Sequence, residues 1–432
     1  MHPQLSTTPP PQPLRLLVVW AWGFHAAVQK DHWLREYAGF AGMFFIHAMA
    51  MGMWLVPLAS VLDAHGLGGL TPYAFATGGV AAFISPLIFG ALADQRIAPV
   101  RLLRWLALAS GGAMALASLA IERGWSHVAI LAFIQLYALC GTPTWSLSTT
   151  IVLSGLREPR REFGPVRAMA TVGWMVGCWL ISALGGDGST MAGFGGALMW
   201  LGLVGFTFTL PIVEPVATGR RLSWGERLGL DALSLLRNRD HRVVFITAAL
   251  YNIPLCAFYP YTPKHLRELG LGHTAAWMTL GQVTEIIAML ALATLLARWR
   301  LKTIFLLGIG FGVLRFVLCA VGSEGWLLAG VTLHGFAFVL YLITAQIYLE
   351  QRVAPEWRAR AQALFTLMLS GFGTTLGYLS CGAWFTASTV AGVTHWRLFW
   401  LGLAGAVGVV FVFFAVAYRG VHGGERDLNS EL

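Results

Sequence analysis

The sequence predicts an all-α membrane protein with about twelve membrane-spanning helices, arranged as two halves of six. Two observations support this fold class. Of the 432 residues, 57% are hydrophobic and only 11% are charged, whereas a soluble globular domain has roughly 25% charged residues. Even a large core could not hide that much apolar surface from water, so a bilayer is the solvent that fits. Each span with its connection takes roughly 30–35 residues, and the length therefore accommodates about twelve spans.

Apolar runs place these spans along the chain, each bounded by charged residues or by clusters of Gly and Pro. The predicted spans are 38–62, 72–93, 98–121, 127–153, 164–185, 193–214, 243–262, 273–297, 302–322, 325–349, 359–386 and 395–418. An Arg-rich stretch with an amphipathic piece, Trp224–Leu236, separates the sixth span from the seventh. We therefore expect a lead-in (1–37), a first half (38–214), a cytoplasmic linker (215–242), a second half (243–418) and a tail (419–432).

The lead-in does not have the pattern of a cleaved signal peptide, because its apolar stretch is short and lacks a small-residue cleavage site. Met1–Pro13 is rich in Pro and is expected to be disordered. Leu14–Tyr37 is expected to be an interfacial or mobile segment, with an ordered helix as the alternative.

The basic residues predict the orientation. The loops on the side of the linker and the two termini hold 23 of the 29 Lys and Arg residues. The opposite loops hold only Arg123, Lys264, Arg267 and Arg397. Because Lys and Arg are retained on the cytoplasmic side, we expect both termini to be cytoplasmic in a multi-pass protein of a bacterial inner (plasma) membrane. The net charge of +9 does not indicate nucleic-acid binding, since the Arg residues lie in short loops and form no basic domain.

Cysteine usage and motifs argue against enzymatic chemistry. The five cysteines lie inside apolar segments and form no CxxC pair, so neither a disulfide scaffold nor a metal site is expected. The sequence contains no P-loop, HExxH, GxSxG or Rossmann fingerprint. We expect no enzyme activity and no cofactor, and any transport to be passive or driven by a gradient.

The loop after the second span carries Gly90, Asp94 and Arg96 in the run GALADQR. Asp94 can cap a neighbouring helix end while Arg96 binds exposed carbonyls, which would make a latch that opens when the two halves rock. The alternative is an ordinary charged turn.

Glu285 lies in the middle of the eighth span, where a charge costs about 3 kcal/mol on insertion scales. Gln282 precedes it by three residues, so the two side chains share one helix face. Glu285 offers a carboxyl that can bind and release a proton, and Gln282 offers a donor and an acceptor. The alternative is a structural carboxyl paired to a helix neighbour.

Arg167 opens the fifth span, and Thr171 and Trp174 follow on the same helix face. A cation, a hydroxyl and a flat aromatic side chain together can hold a polar ring by stacking and hydrogen bonds. The alternative is that Arg167 extends to the cytoplasmic interface.

Other polar residues lie in the second half. Arg315, in the ninth span, is expected to be structural and to bind carbonyls between packed helices, with a direct role in transport as the alternative. His334 and Phe338, four residues apart in the tenth span, face together; His334 can relay protons, bind substrate or serve only in helix packing. Asn252 adds polar lining to the seventh span, where Pro254 and Pro260 are expected to break the helix beside a cavity.

Several stretches together resemble the nucleoside:proton symporters of the major facilitator superfamily, from about Gly78 to Gly405. These stretches are Gly90–Arg96, Thr142–Thr150, Phe163–Arg167 with Thr171–Trp174, Leu228–Leu233, Gln282–Glu285, Val313–Phe316, Arg358–Gln362 and Ser370–Gly373. The Arg/Thr face and the Gln/Glu face are the most specific of them. The resemblance implies the major facilitator fold.

The resemblance also implies functional positions. Residues at family substrate positions are Arg167, Thr171, Gln282 and Glu285, with Trp174 and Phe338 at aromatic positions. Two departures are that His334 stands where the family has a Tyr and Val339 where it has an Asp beside the substrate. Proton coupling is therefore expected to carry over better than solute specificity.

The leading hypothesis is a proton-coupled symporter that imports a nucleoside or a similar small polar ring compound by alternating access. Glu285 is the expected proton-coupling group, and the expected partners are the solute, protons and the lipid bilayer, with a monomeric chain. The alternatives are a proton-linked exporter of amphipathic drugs on the same fold and a non-transporting membrane receptor or lipid-handling protein.

Overall fold

The computed structural model describes residues 31–95, 97–212 and 223–420, with side chains from Tyr37 onward except in 89–96, 159–161 and 213–222. Within this part, twelve helices are long and apolar enough to cross a membrane, which confirms the predicted number. They are Tyr37–Ala64, Gly68–Ile88, Pro99–Glu122, His127–Gly155, Glu162–Ala183, Met191–Thr209, Arg239–Glu268, Thr274–Arg298, Leu301–Cys319, Glu324–Arg352, Pro355–Ala387 and Trp396–Ala417. We number these spans in chain order.

Several spans are interrupted or flanked by short elements. The helices are Asp31–Leu55, Leu58–Ala64, Thr71–Gln95, Pro99–Glu122, His127–Gly155, Pro159–Ala183, Met191–Phe206, Trp224–Leu228, Arg239–Leu255, Phe258–Glu268, Thr274–Met278, Leu280–Arg298, Leu301–Cys319, Glu324–Thr332, His334–Phe338, Thr344–Arg352, Pro355–Thr366, Thr374–Ala387 and Trp396–Ala417. Short 3-10 helices cover Gly68–Leu70, Thr207–Thr209 and Leu230–Arg237, and two strands, Thr389–Val390 and Val393–Thr394, form an antiparallel pair.

The seventh span is the one that differs most from its prediction of 243–262, since it extends over Arg239–Glu268. Asn238 caps it by accepting the N–H groups of Asp240 and His241, so the helix begins before the apolar run does. At the N-terminus, helix already covers residues 31–37 of the expected lead-in. Met1–Pro13 lies outside the described residues.

The linker contains two short helices and not the single amphipathic segment expected over Trp224–Leu236. Gly229, with φ of +69°, separates them. Its backbone lies so close to the carbonyl of Arg360 and the N–H of Leu364 that a side chain would clash with the eleventh span. Glu226 pairs with Arg360 at 3.6 Å. The described part of the linker is therefore held against the second half, and its first helix, Trp224–Leu228, also contacts the second span of the first half.

Spans of one half pack mainly against each other, and a few pairs join the halves. The second span packs along the eleventh, the fifth contacts the start of the eighth, and the end of the first contacts the seventh. We call the side that carries residues 223–238 the linker face and the other side the opposite face.

On the opposite face, polar contacts hold the halves together. Asp63, at the end of the first span, binds Arg267 at 3.0 Å and Lys264 at 3.5 Å in the seventh. Asp187, after the fifth span, accepts the N–H of Ala275 at 2.7 Å. That contact caps the helix Thr274–Met278 with a carboxylate from the other half. The opposite face is closed in this conformation.

Candidate functional site

A cavity of about 330 Å³ lies between the halves, and the two predicted polar faces meet in it. We call it the first compartment. It is lined by Ala48, Met51, Trp145, Arg167, Ala170, Thr171, Trp174, Tyr259, Gln282 and Glu285. The fifth and eighth spans are far apart in sequence, so only the packing of the halves creates this shared wall.

Arg167 lies inside the bundle. Its guanidinium carbon is 4.2 Å from the centre of a Trp145 ring and 5.6 Å from that of Phe44. A cation over an aromatic face is held by the ring quadrupole, and most strongly by Trp. This geometry places the planar donor fork of Arg167 on the compartment wall.

His47 and Trp145 form the support beneath Arg167, and sequence reasoning did not select them. His47 is fully buried and bonds Ser148 Oγ at 3.1 Å and Thr144 Oγ1 at 2.9 Å. Its ring lies 5.3 Å from that of Trp145. A His in an apolar span, opposite a Thr/Ser-rich helix, was the available signal. The ring supports the aromatic surface on which Arg167 rests.

Glu285 faces Arg167 across the first compartment without a direct ion pair between them. Glu285 is half-buried, while Gln282 is 6% exposed. A carboxylate in such a site is not neutralised by a permanent partner, which leaves it free to exchange a proton or bind a polar solute.

A second compartment of about 190 Å³ adjoins the first, because Tyr259 and Glu285 line both. Its walls are Asn252, Leu255, Cys256, Tyr259, Glu285, His334, Phe338, Leu342, Thr374 and Tyr378. Of the predicted site residues, Asn252, His334 and Phe338 therefore lie here and not beside Arg167. The rings of His334 and Phe338 are 6.0 Å apart, as their spacing predicted.

Irregular helix geometry shapes this compartment. The seventh span has one break, between Leu255 and Phe258, where two had been expected. Pro260 is tolerated in the first turn of the second piece, because the N–H groups there have no helical partner to lose. The tenth and eleventh spans each contain a π segment, Val339–Ile343 and Leu367–Gly373, a feature often found at functional sites.

Two side chains near this compartment differ from expectation. Val339 is fully buried in a small apolar cluster with Ala288 and Ile304, and it lines neither compartment. The expectation that Arg315 binds carbonyls is wrong: its hydrogen bond goes to His334 Nδ1, at 2.8 Å. Nδ1 of His334 is the acceptor within hydrogen-bonding distance of this guanidinium.

A third cavity, of about 500 Å³, lies between the halves toward the linker face. It is bordered by the second, fourth and eleventh spans and by Arg227 and Leu228 of the linker. Gly90 and Asp94 lie in the helix Thr71–Gln95, while Arg96 and the side chain of Asp94 lie outside the described residues. The described residues include no His, Cys, Asp or Glu group suited to a metal, and all five cysteines are free and buried.

Comparison with known proteins gives consistent matches along the chain. A profile of the family described as Nucleoside H+ symporter matches residues 38–423. The transporter YegT of Escherichia coli (strain K12) is 29% identical over 399 residues, covering 87% of this chain and 92% of that protein. The Xanthosine permease of the same organism is 26% identical over 405 residues, covering 89% and 96% respectively.

A solved structure matches at a similar level. The crystal structure of a mutant of the nucleoside transporter NupG superimposes with a TM-score of 0.83 at 25% sequence identity. The superposition covers 89% of this chain and all of that one, so the whole twelve-span arrangement is shared.

Proposed function

The chain belongs to the nucleoside H+ symporter family, and we propose on that basis that it imports a nucleoside, or a similar small polar ring compound, together with protons. The chain is a membrane transporter with the major facilitator fold expected from its motifs. The exporter alternative is not favoured, because the family and the matched relatives are symporters and permeases.

The observation that carries the proposal is the meeting of two polar faces between the halves. Arg167 and Thr171 come from the first half, and Gln282 and Glu285 from the second, and all four line one cavity. A solute bound there touches both halves, so its binding depends on how they are placed. That dependence is what alternating access requires.

In this mechanism the first compartment holds the flat ring of the solute. Arg167 donates paired hydrogen bonds to ring acceptors, Thr171 adds a hydroxyl, and Trp174 provides a stacking surface. Gln282 can match either donors or acceptors on the ring edge.

Glu285 couples this binding to protons. In one conformation the carboxyl binds a proton from the outside medium, and in the other, approach of Arg167 favours its release to the cytoplasm. The closed opposite face and the cavity toward the linker face support an inward-directed arrangement in the present conformation. Asp94 and Arg96 complete the mechanism as a latch on the linker face.

The chain is a multi-pass inner-membrane protein. Our proposal extends to both termini and the linker being cytoplasmic, to division into the two halves predicted above, and to function as a monomer. The distribution of Lys and Arg supports the orientation.

Uptake into proteoliposomes tests the function. The full chain is reconstituted and given labelled uridine or adenosine, with and without an inward proton gradient. Accumulation above the external concentration only in the presence of the gradient is the expected result. Liposomes without protein are the control. Absence of flux for both solutes, or gradient-driven efflux, would contradict the proposal.

A further inference from the structure

The Arg315–His334 contact lies behind the second compartment and joins the ninth and tenth spans. Arg315 Nη1 is 2.8 Å from His334 Nδ1. Arg315 is 1% exposed and His334 is 8% exposed. Burial keeps water away from the Arg315 guanidinium, and its Nε has no hydrogen-bond partner among the described residues.

The chemistry of this contact determines where the imidazole proton lies. A guanidinium has five N–H donors and no acceptor, so Arg315 must donate and Nδ1 of His334 must accept. The proton of the neutral imidazole is then on Nε2, which makes Nε2 a donor. A doubly protonated imidazole would place an N–H against the N–H of Arg315, so this contact disfavours a second proton on His334 in the present conformation.

Packing fixes the plane of the same ring. His334 stacks on Phe258 with ring centres 4.1 Å apart and an angle of 12°. The guanidinium of Arg315 lies over that same Phe258 ring at 4.4 Å. On the other side, Gly281 approaches so closely that a Cβ there would be 3.1 Å from His334 Cβ. The imidazole therefore has one orientation and one tautomer.

Nε2 of His334 is available to a solute. His334 lines the second compartment, and its only hydrogen bond among the described residues is the one to Arg315. Asn252 shows the complementary polarity, because its Nδ2 already donates to Leu369 O at 3.1 Å and Thr374 Oγ1 at 2.9 Å. Its Oδ1 is left to accept. Nε2 of His334 and Oδ1 of Asn252 thus add an oriented donor and an oriented acceptor to a compartment that Glu285, Tyr259, Thr374 and Tyr378 also line.

We propose that His334 is a specificity-determining residue that donates from Nε2 to a hydroxyl oxygen on the sugar ring of the solute, with Arg315 as the positioning residue that sets its tautomer. This inference rests on the proposed function and assigns the sugar of the solute to the second compartment. The smaller compartment suits the sugar, because the larger one holds the Trp and Arg surfaces that suit a flat base. A sugar hydroxyl can accept from His334 while its neighbour donates to Asn252.

The test measures the affinity of the purified full chain for uridine and for its 2′-, 3′- and 5′-deoxy analogues. The wild-type chain should bind two analogues about fivefold more weakly than uridine, each the effect of one neutral hydrogen bond: the analogue without the hydroxyl that His334 binds, and the one without its neighbour that Asn252 binds. In His334→Phe the first difference should disappear and the second should remain. In His334→Tyr both should persist, because a phenol can also donate. The matched control is His65→Phe, in an exposed turn of the opposite face, which should leave both differences unchanged.

Variants of Arg315 are tested by the ratio of the Kd for a deoxy analogue to the Kd for uridine. A loss of protein stability alone would weaken the binding of both and leave this ratio unchanged. Arg315→Met leaves either tautomer open to His334, so only the molecules with the proton on Nε2 keep the donor, and the discrimination should fall from about fivefold to about threefold. Arg315→Lys, also a donor without an acceptor, should retain it. The inference would be overturned, while the proposed function stands, if the four variants at His334 and Arg315 all lost affinity equally for uridine and for every analogue. It would also be overturned if the discrimination were unaffected by His334→Phe. If the wild-type chain bound neither uridine nor adenosine, the proposed function and the inference would both fail.

Discussion

Replacing Glu285 by Gln should separate solute exchange from solute accumulation. Glu285 is the only carboxyl among the described residues that line the two compartments. Gln has nearly the same shape and still forms hydrogen bonds, but it cannot bind or release a proton. We therefore expect the variant to behave as a carrier that is permanently in the uncharged state.

The size of the effect follows from one proton per transport cycle. A gradient of one pH unit supplies about 1.4 kcal/mol per proton, which equals a tenfold concentration ratio. With a single coupling carboxyl, the wild-type chain should concentrate labelled uridine about tenfold in proteoliposomes under that gradient. Glu285→Gln should reach a ratio of about one, because no proton movement is linked to the solute.

Two assays on the same vesicles check this prediction. Net uptake under the pH gradient measures accumulation, and exchange of labelled for unlabelled uridine at equal pH measures carrier movement. Exchange by Glu285→Gln should continue within a few-fold of the wild-type rate and lose most of its pH dependence. The matched control is Glu350→Gln, since Glu350 is exposed and paired with Arg358 at 3.3 Å, outside both compartments. If Glu285→Gln still concentrated uridine tenfold, Glu285 would not be the coupling group.

Three further outcomes are expected. Arg167→Lys should raise the Kd for uridine roughly tenfold, because Lys lacks the planar fork of donors; near-normal affinity in a binding assay would remove Arg167 from the site. A phosphatase fused after Leu432 should be inactive, since the distribution of basic residues places that end in the cytoplasm; an active fusion would reverse the topology. Asp63→Asn removes the ion pair with Arg267 on the opposite face. Because both side chains are partly exposed and screened by water, the fraction of molecules with this face open should rise only about two- to fivefold. The assay adds an impermeant thiol reagent from outside and measures the rate at which it labels Thr171→Cys. That rate should rise by the same factor in Asp63→Asn, and an unchanged rate would show that Asp63 does not hold this face closed.

Local properties of the sequence were sufficient to predict much of the fold. A helix in a bilayer needs an apolar run of fixed length. Most ends of the twelve spans could therefore be predicted from the sequence to within a few residues. Interruptions were harder to predict. Pro254 marked one true break, while Pro260 marked none, because the effect of a Pro depends on where the preceding helix has already ended.

For the candidate site, the sequence by itself determined which side chains are anomalous in a membrane and which of them share a helix face. Arg167 with Thr171 and Gln282 with Glu285 were found in this way. Only the tertiary structure decided that these two faces meet, that Asn252 and His334 belong to an adjoining compartment, and that Arg315 binds His334. The physical reason is that helix periodicity relates residues a few positions apart, whereas contacts between spans depend on how whole helices pack against one another.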